Sequence, residues 1–224
     1  MTGTLHVVAT PIGNLEDITL RALRVLKEVD YILCEDTRVT GKLLKHYDLS
    51  TKLKRYDAHA SESVHQNVLD DLKNGKQIAL VSDAGTPGVS DPGVLLVSKV
   101  RAAGMRIDAI PGPSALTAAF SIAGLVGNQF TFLGFVPQKK GRQTFFEGLS
   151  SYDHPVIFFE STHRIMKTLE TLSRNLSINR KVSVARELTK IHEELVQGLP
   201  TEVFQYFEKN PIKQKGEFVV IVSP

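Results

Sequence analysis

The sequence predicts an α/β protein, a doubly wound parallel sheet followed by a second α/β region of different character. Three observations carry this reading. Short apolar runs over residues 5–9, 31–34, 78–81 and 107–110 have the unbroken hydrophobicity of strands buried on both faces. The segments between them place apolar residues at helical spacing. Stretches rich in glycine and proline follow three of the strands, and ligands of open parallel sheets bind at those carboxyl ends.

Taken in order, residues 5–9 are a first strand, and Thr10-Pro11-Ile12-Gly13-Asn14 turns the chain out of it. Asp17 or Thr19 caps a helix in which Ala22, Leu23, Val25, Leu26 and Val29 face inward. Residues 31–34 form a second strand ending in Glu35-Asp36-Thr37-Arg38, followed by a short helix over 39–47 and a strand over 53–57. Ser61 or Ser63 opens a helix with Val64, Val68, Leu69 and Leu72 on one face, and Asn74-Gly75 closes it.

The strand over 78–81 then enters the stretch around which the chain is organised. Residues 83–93 hold three glycines, two prolines and two aspartates. A βα connection is typically about two to six residues, so this one is long. Glycine there lets backbone groups approach a ligand closely and reach positive φ. Asp91 with Pro92 suits a helix start, with Pro at the first helical position. That helix runs to Ala103-Gly104, a strand follows over 107–110, and Pro111-Gly112-Pro113-Ser114 leads into an alanine-rich helix ending at Gly124.

The character changes beyond Gly124, which sets the expected domains at 1–124 and 125–224. Residues 130–135 are strand-like, and Gln138-Lys139-Lys140-Gly141-Arg142 is a basic loop before a helix. A strand over 156–160 precedes a helix capped by Thr162, with Ile165, Met166, Leu169 and Leu172 inward. Strands over 182–187, 193–197 and 217–222 complete the chain, the first two as a hairpin-like pair across 188–192.

Composition narrows the function. A chain of 224 residues, 42% of them hydrophobic, can bury one large core or two small ones. The formal charge of +3 is compatible with a nucleic-acid partner without being diagnostic. With 7% aromatic residues and no Trp, no aromatic-rich nucleic-acid platform is advertised. A lone Cys34 excludes a disulfide framework and suits a reducing cytosol. No signal-peptide pattern and no apolar run of spanning length is present, so a soluble, cytoplasmic protein away from membranes is expected.

Standard phosphate signatures are missing. No G-x-G-x-x-G follows a strand, no G-x-x-x-x-G-K-[ST] occurs, and Gly112-Pro113-Ser114-Ala115-Leu116 is not a G-x-S-x-G elbow. Asp83 and Asp91 are of the type that holds a hard cation, but Pro87 and Pro92 sit where flexible carbonyls would be wanted, so no metal is expected. The three strand-end loops, 10–14, 82–91 and 111–114, contain neither Lys nor Arg. Phosphates gather cations or a glycine-rich helix start. A cationic cofactor needs carbonyls, hydroxyls and an apolar wall instead, and the sulfonium of S-adenosylmethionine fits that demand.

Seven ordered stretches carry a resemblance. They are residues 5–19, Cys34-Glu35-Asp36-Thr37-Arg38, 81–93, Ile110-Pro111-Gly112-Pro113-Ser114-Ala115, Phe132-Leu133-Gly134-Phe135, residues 158–164 and Ala185-Arg186-Glu187-Leu188-Thr189-Lys190. From Leu5 to about Val222 the chain resembles the tetrapyrrole methylase superfamily, and within it the branch that methylates the 2′-hydroxyl of a cytidine in small-subunit ribosomal RNA. The resemblance implies two α/β domains of the class III methyltransferase type, the active site in the cleft between them, S-adenosylmethionine as cofactor and a homodimer. It maps cofactor contacts onto Pro11, Asp83, Ala84, Gly85, Thr86, Val89, Ser114, Ala115, Phe159, Leu188 and Gly216. It maps ribosomal RNA contacts, to the free RNA or the 30S subunit, onto the loop of Lys139, Lys140 and Arg142. His163-Arg164, Arg186 and Lys190 would continue that basic track.

The superfamily's tetrapyrrole enzymes are glycine-rich after the first strand, where this chain has Thr10-Pro11-Ile12-Gly13-Asn14, and that departure favours the RNA branch. RNA-branch members commonly continue into a C-terminal helical segment where this chain stops at Pro224, so that segment is either dispensable here or absent from a shortened chain. Four readings stay open. Asp36 is a candidate base or substrate-orienting carboxylate with Arg38 as phosphate contact, or the two are a structural pair holding the loop. Glu160 and Glu187, each near an arginine, are further carboxylates to test. Asp83 contacts cofactor or caps its own turn, and the basic loop binds RNA or is merely solvated. A tetrapyrrole methyltransferase and a non-catalytic RNA-binding protein on this fold are the rival functions.

Overall fold

The computed structural model describes residues 2–177 and 179–224. They fall into two compact units, 1–114 and 115–224. The sequence expectation placed the boundary after the alanine-rich helix; the packing assigns that helix to the second unit.

In the first unit, β1 (Thr4–Val8), β2 (Tyr31–Cys34), β3 (Leu53–Arg55), β4 (Gln77–Leu80) and β5 (Arg106–Ile110) form one sheet in the order β3-β2-β4-β1-β5. All its pairings are parallel. Side chains alternate between its faces. Ile32, Cys34, Ala79 and Val81 pack with Ala22 and Leu26 of α1 (Leu20–Glu28) and with Leu43 and Leu44 of α2 (Thr37–His46). Tyr31, Leu33, Ile78 and Leu80 pack on the other face with Val68 and Leu72 of α3 (Glu62–Lys73) and Leu96 and Val100 of α4 (Gly93–Ala102). This is the doubly wound sheet expected, and it explains why the strands read as unbroken apolar runs.

Capping chemistry decides the open helix starts. The Thr19 hydroxyl accepts from the Ala22 amide and begins α1, while Asp17 lies in a 3₁₀ turn over Leu15–Asp17. Asp36 caps α2 by accepting from the Arg38 amide, so this helix starts two residues earlier than its apolar pattern suggests. Ser61 occupies the cap position of α3 without a side-chain cap bond. The Asp91 carboxylate accepts from the Gly88 and Gly93 amides, at 2.6 and 2.8 Å, and α4 starts after Pro92 rather than with it.

In the second unit, β6 (Thr131–Phe135), β7 (Val156–Ser161), β8 (Val182–Arg186), β9 (Glu194–Gly198) and β10 (Glu217–Val222) are ordered β6-β7-β10-β8-β9. Only β6 and β7 run parallel; β10 is antiparallel to β7 and β8, and β8 and β9 make the expected antiparallel pair. One face is covered by Phe146 of α6 (Arg142–Gly148), Leu169 and Leu172 of α7 (Ile165–Asn175), and Val203 and Phe207 of α8 (Pro200–Lys209). The opposite face meets α5 (Ala115–Ile122), beyond which Gln197 of β9 donates to the Ala123 carbonyl at 3.0 Å.

Two sequence assignments need correction here. Thr162 does not cap α7: its hydroxyl donates to the Gly216 carbonyl at 2.7 Å and accepts from the Gly216 amide at 2.8 Å, and Arg164 holds the cap position. Helix α8 lies outside the sequence expectation, although Pro200 at its first turn and the spacing of Val203 and Phe207 encode it. Glu202 reaches back to accept from the Leu199 amide at 2.8 Å and secures that start.

Candidate active site

Within the first unit, neighbouring strands β4, β1 and β5 release their three cation-free loops side by side, and hydrogen bonds interlock them. Thr10 and Gly85 exchange both backbone bonds at 3.0 Å. The Thr10 hydroxyl donates to the Ser82 carbonyl at 3.2 Å, and the Thr86 hydroxyl donates to the Pro113 carbonyl at 3.2 Å. Gly85 has φ of +79°, and a Cβ there would lie 3.4 Å from Ile12 Cγ2 and 3.8 Å from the Pro113 oxygen. A side chain at 85 would therefore meet both neighbouring loops. Pro11 is buried beneath this arrangement, whereas Asp83, Ala84 and Val89 are exposed at its surface and Ser114 is half-buried.

The loop after β2 joins the same edge. Its Asp36 amide donates to the Asp83 carboxylate at 3.0 Å, so Asp83 braces a neighbouring loop as well as standing at the rim of its own. Asp36 in turn grips Arg38, accepting from its amide at 2.8 Å and from Nη2 at 2.6 Å. The Arg38 hydrogen bond holds the Asp36 carboxyl down to about 2. So weak a base is a poor acceptor for a hydroxyl proton. The Arg38 side chain, 86% exposed, is presented outward by the pair.

Glu35 behaves oppositely. Burial first, then the nearby carboxylates of Asp83, Asp91 and Asp57, push its carboxyl above the ordinary value. The rim is thus a run of carboxylates and carbonyls whose field suits a positive ligand. Among the described residues no group of three or more His, Cys, Asp or Glu could hold a metal ion, and Asp91 is spent on its two amide contacts.

The remaining predicted residues lie in the second unit, at one end of its sheet. Register places Phe159 opposite Val219, Ser161 opposite Glu217 and Arg186 opposite Phe218, so the ends of β7 and β8 and the start of β10 coincide. Gly216 has φ of +126°, and a Cβ there would come within 2.7 Å of the Glu187 side chain. Leu188 is buried beside it, and Ala115 opens α5.

Four of the six cations expected to contact RNA are committed to the fold. Arg142 donates to the Thr168 hydroxyl at 2.9 Å and faces Glu160 at 3.9 Å. Arg164 pairs with Glu160 at 3.0 Å and donates to the Val136 carbonyl at 2.7 Å. Arg186 is buried and donates to the Lys215 and His192 carbonyls. Lys190 pairs with both Glu187 and Glu217 at 3.0 Å. Lys139 and Lys140 stand exposed on their loop. In sequence the buried Glu160 cluster shows only as Glu160 near Arg164; the approach of Arg142, from the start of α6, comes from the fold.

A sequence model described as Tetrapyrrole (Corrin/Porphyrin) Methylases matches residues 4–203.

The chain belongs to the tetrapyrrole methylase family.

Relatives within it are similar over nearly the whole chain. A protein of Thermotoga maritima named ribosomal RNA small subunit methyltransferase I is 43% identical over 221 residues, covering 99% of this chain and 98% of that protein. A protein of the same name from Halalkalibacterium halodurans is 47% identical over 222 residues, covering 99% of this chain and 76% of that protein. Among solved structures, uroporphyrin-III C-methyl transferase from Thermus thermophilus complexed with S-adenyl homocysteine superposes with a TM-score of 0.65. It is 18% identical and covers 100% of this chain and 97% of that one, a likeness of fold. Relatives sharing the one name thus differ in length, and the family assignment rests on the shared body of the chain.

Proposed function

We propose that this tetrapyrrole methylase transfers a methyl group from S-adenosylmethionine to the ribose 2′-hydroxyl of a cytidine in small-subunit ribosomal RNA. The observation that carries the substrate is the near-complete match, at 43% and 47% identity, to proteins named for methylating that RNA. The cofactor reading is supported by the interlocked strand-end loops, which offer carbonyls, hydroxyls and carboxylates and no cation. When bound, S-adenosylmethionine supplies a methyl carbon already activated by its sulfonium.

The chain's own work is chiefly positioning, which is worth about 7–11 kcal/mol for well-aligned reactants. We assign the residues from Asp83 to Val89, with Pro11 beneath them and Ser114 beside Pro113, to holding the cofactor in the first unit. Ala115, Phe159, Leu188 and Gly216 are its candidate contacts in the second. Asp36 orients Arg38, and the exposed guanidinium takes a phosphate of the RNA. Lys139 and Lys140 take others. The closed pairings of Arg142, Arg164, Arg186 and Lys190 support a structural role for those four. A homodimer resident in the cytoplasm completes the reading; light scattering tests the first part. Among the described residues no helix is long and apolar enough to cross a membrane.

The deciding experiment maps ribose methylation on small-subunit RNA, supplied free and as 30S subunits, with and without this protein and its cofactor. A single new 2′-O-methyl cytidine is expected. Its absence from both substrates, with cofactor bound, would remove the RNA reading and return the tetrapyrrole alternative.

A further inference from the structure

Strand β6 breaks the alternation of side chains at one point. Phe132 registers with Ile157 and Phe135 with Phe159, so three residues of β6 span two of β7. That is a β-bulge, with Gly134 at φ of +67° as its pivot. Without it, residues three apart would point to opposite faces. With it, both rings meet Phe159: the Phe132–Phe159 centroids are 4.9 Å apart at 62°, and the Phe135–Phe159 centroids 5.4 Å apart at 64°. Phe159 and Phe132 are partly covered, while Phe135 is 51% exposed. A half-exposed aromatic ring packed against a second ring, itself in contact with a third, is a stacking surface.

What lies next along the chain names the occupant. Past Phe135 the carbonyl of Val136 accepts from Arg164, and that of Pro137 from Arg142 at 3.5 Å. Both arginines face Glu160, whose side chain is fully buried and also accepts from the Thr168 hydroxyl at 2.7 Å. This strap delivers the exposed Lys139 and Lys140, no more than about 18 Å of extended chain from Phe135. An open aromatic face followed by two cations is the pattern that binds single-stranded nucleic acid, base on ring and phosphate on ammonium.

We propose that Phe135, backed by Phe132 and Phe159, stacks one unpaired nucleobase of the RNA substrate while Lys139 and Lys140 hold neighbouring phosphates. The inference rests on the RNA reading above and adds the element that receives a base. The reading from composition alone found no aromatic platform; the bulge assembles one from residues apart in sequence.

The chain has no tryptophan, so Phe135→Trp places a single reporter at the platform. Its emission is followed on titration with 30S subunits lacking the modification, with a single-stranded RNA of about a dozen nucleotides, and with S-adenosylmethionine alone. Quenching by RNA is expected, over and above any change that the cofactor alone causes through neighbouring Phe159. In parallel, Phe135→Leu, which keeps an apolar contact with Phe159, should bind RNA about 10–100-fold more weakly. Its cofactor affinity should change by far less than its RNA affinity, and its circular dichroism should stay native. Wild-type RNA affinity in Phe135→Leu, or tryptophan emission that RNA leaves unchanged, would overturn the platform. If the wild-type protein itself neither binds nor methylates RNA, the functional reading fails first and the platform with it, and the parallel wild-type titration separates the two cases.

Discussion

The backbone amide of Asp36 donates to the side chain of Asp83 at 3.0 Å, tying the loop after β2 to the loop after β4. Two carboxylates that sequence reading treats as separate candidates are thereby one assembly. Asp83 braces the loop, and Asp36 starts α2 and grips Arg38. Asp83→Ala should weaken S-adenosylmethionine binding and loosen residues 35–38 together, seen as lost hydrogen-exchange protection there. Unchanged exchange in that segment would separate the two loops again.

Asp36→Asn keeps a side chain competent to cap a helix but loses the charge pair. Methyl transfer should fall by less than the roughly 10²–10⁴-fold expected on losing a general base, with the loss appearing in KM for RNA through Arg38. The pH dependence follows from the sign of the shift. The folded carboxyl, at about 2, lies below its ordinary value, so the stability it adds is present above about pH 4 and is lost as pH falls toward 2. The melting-temperature gap between wild type and Asp36→Asn should narrow steadily from pH 5 to pH 3.

Glu35 carries the opposite sign. Its folded carboxyl is raised, so its charged form is unfavourable in the fold at neutral pH, and protonation relieves the repulsion. Glu35→Gln should melt higher than wild type at pH 7, with the difference closing on acidification below about pH 4. A lower melting temperature at pH 7 would show that Glu35 has a stabilising partner.

Gly85→Val introduces a β-branched side chain at φ of +79°, against Ile12 and the Pro113 carbonyl. The left-handed backbone alone costs about 1–2 kcal/mol. Calorimetry should find cofactor binding abolished while circular dichroism stays native. Wild-type affinity would move the cofactor away from this loop.

Arg142 and its neighbours Lys139 and Lys140 should separate cleanly. Replacing the two lysines with Ala should leave stability unchanged and reduce the log–log salt slope of RNA binding by about 0.7–0.9 per lost phosphate contact. Arg164→Ala instead removes the 3.0 Å partner of buried Glu160 and leaves Arg142 at 3.9 Å. It should destabilise the fold by up to the roughly 3–5 kcal/mol of a broken buried pair, and Arg142→Ala by less. Denaturant unfolding distinguishes the two classes.

Most of the first unit was legible in sequence because its strands are buried on both faces and its helices on one. Residues 31–34 needed no adjustment, and the longest loop was visible as a cluster of Gly, Pro and Asp. The helix starts were ambiguous because several polar residues near each start have capping chemistry, and only the backbone geometry selects Thr19 over Asp17 or detaches Thr162 from α7. The setting of the cations is hidden from sequence for a related reason. Sequence records charge but not which distant groups the fold brings to it, as it brings Glu160 to Arg142 and the Lys215 carbonyl to Arg186.

By itself, then, the sequence determined the order and type of most of the elements, the absence of cations from the three strand-end loops, and the family. Those depend on local propensity, hydrophobic period and residue identity, which are properties of neighbours in the chain. Tertiary structure decided which of those residues meet: the Thr10–Gly85 bridge, the Asp83 brace on Asp36, the buried Glu160 cluster and the three rings gathered by the bulge at Gly134. Each joins segments brought together by strand pairing, and a one-residue change of register turns a side chain to the opposite face, so no reading of either segment alone contains them.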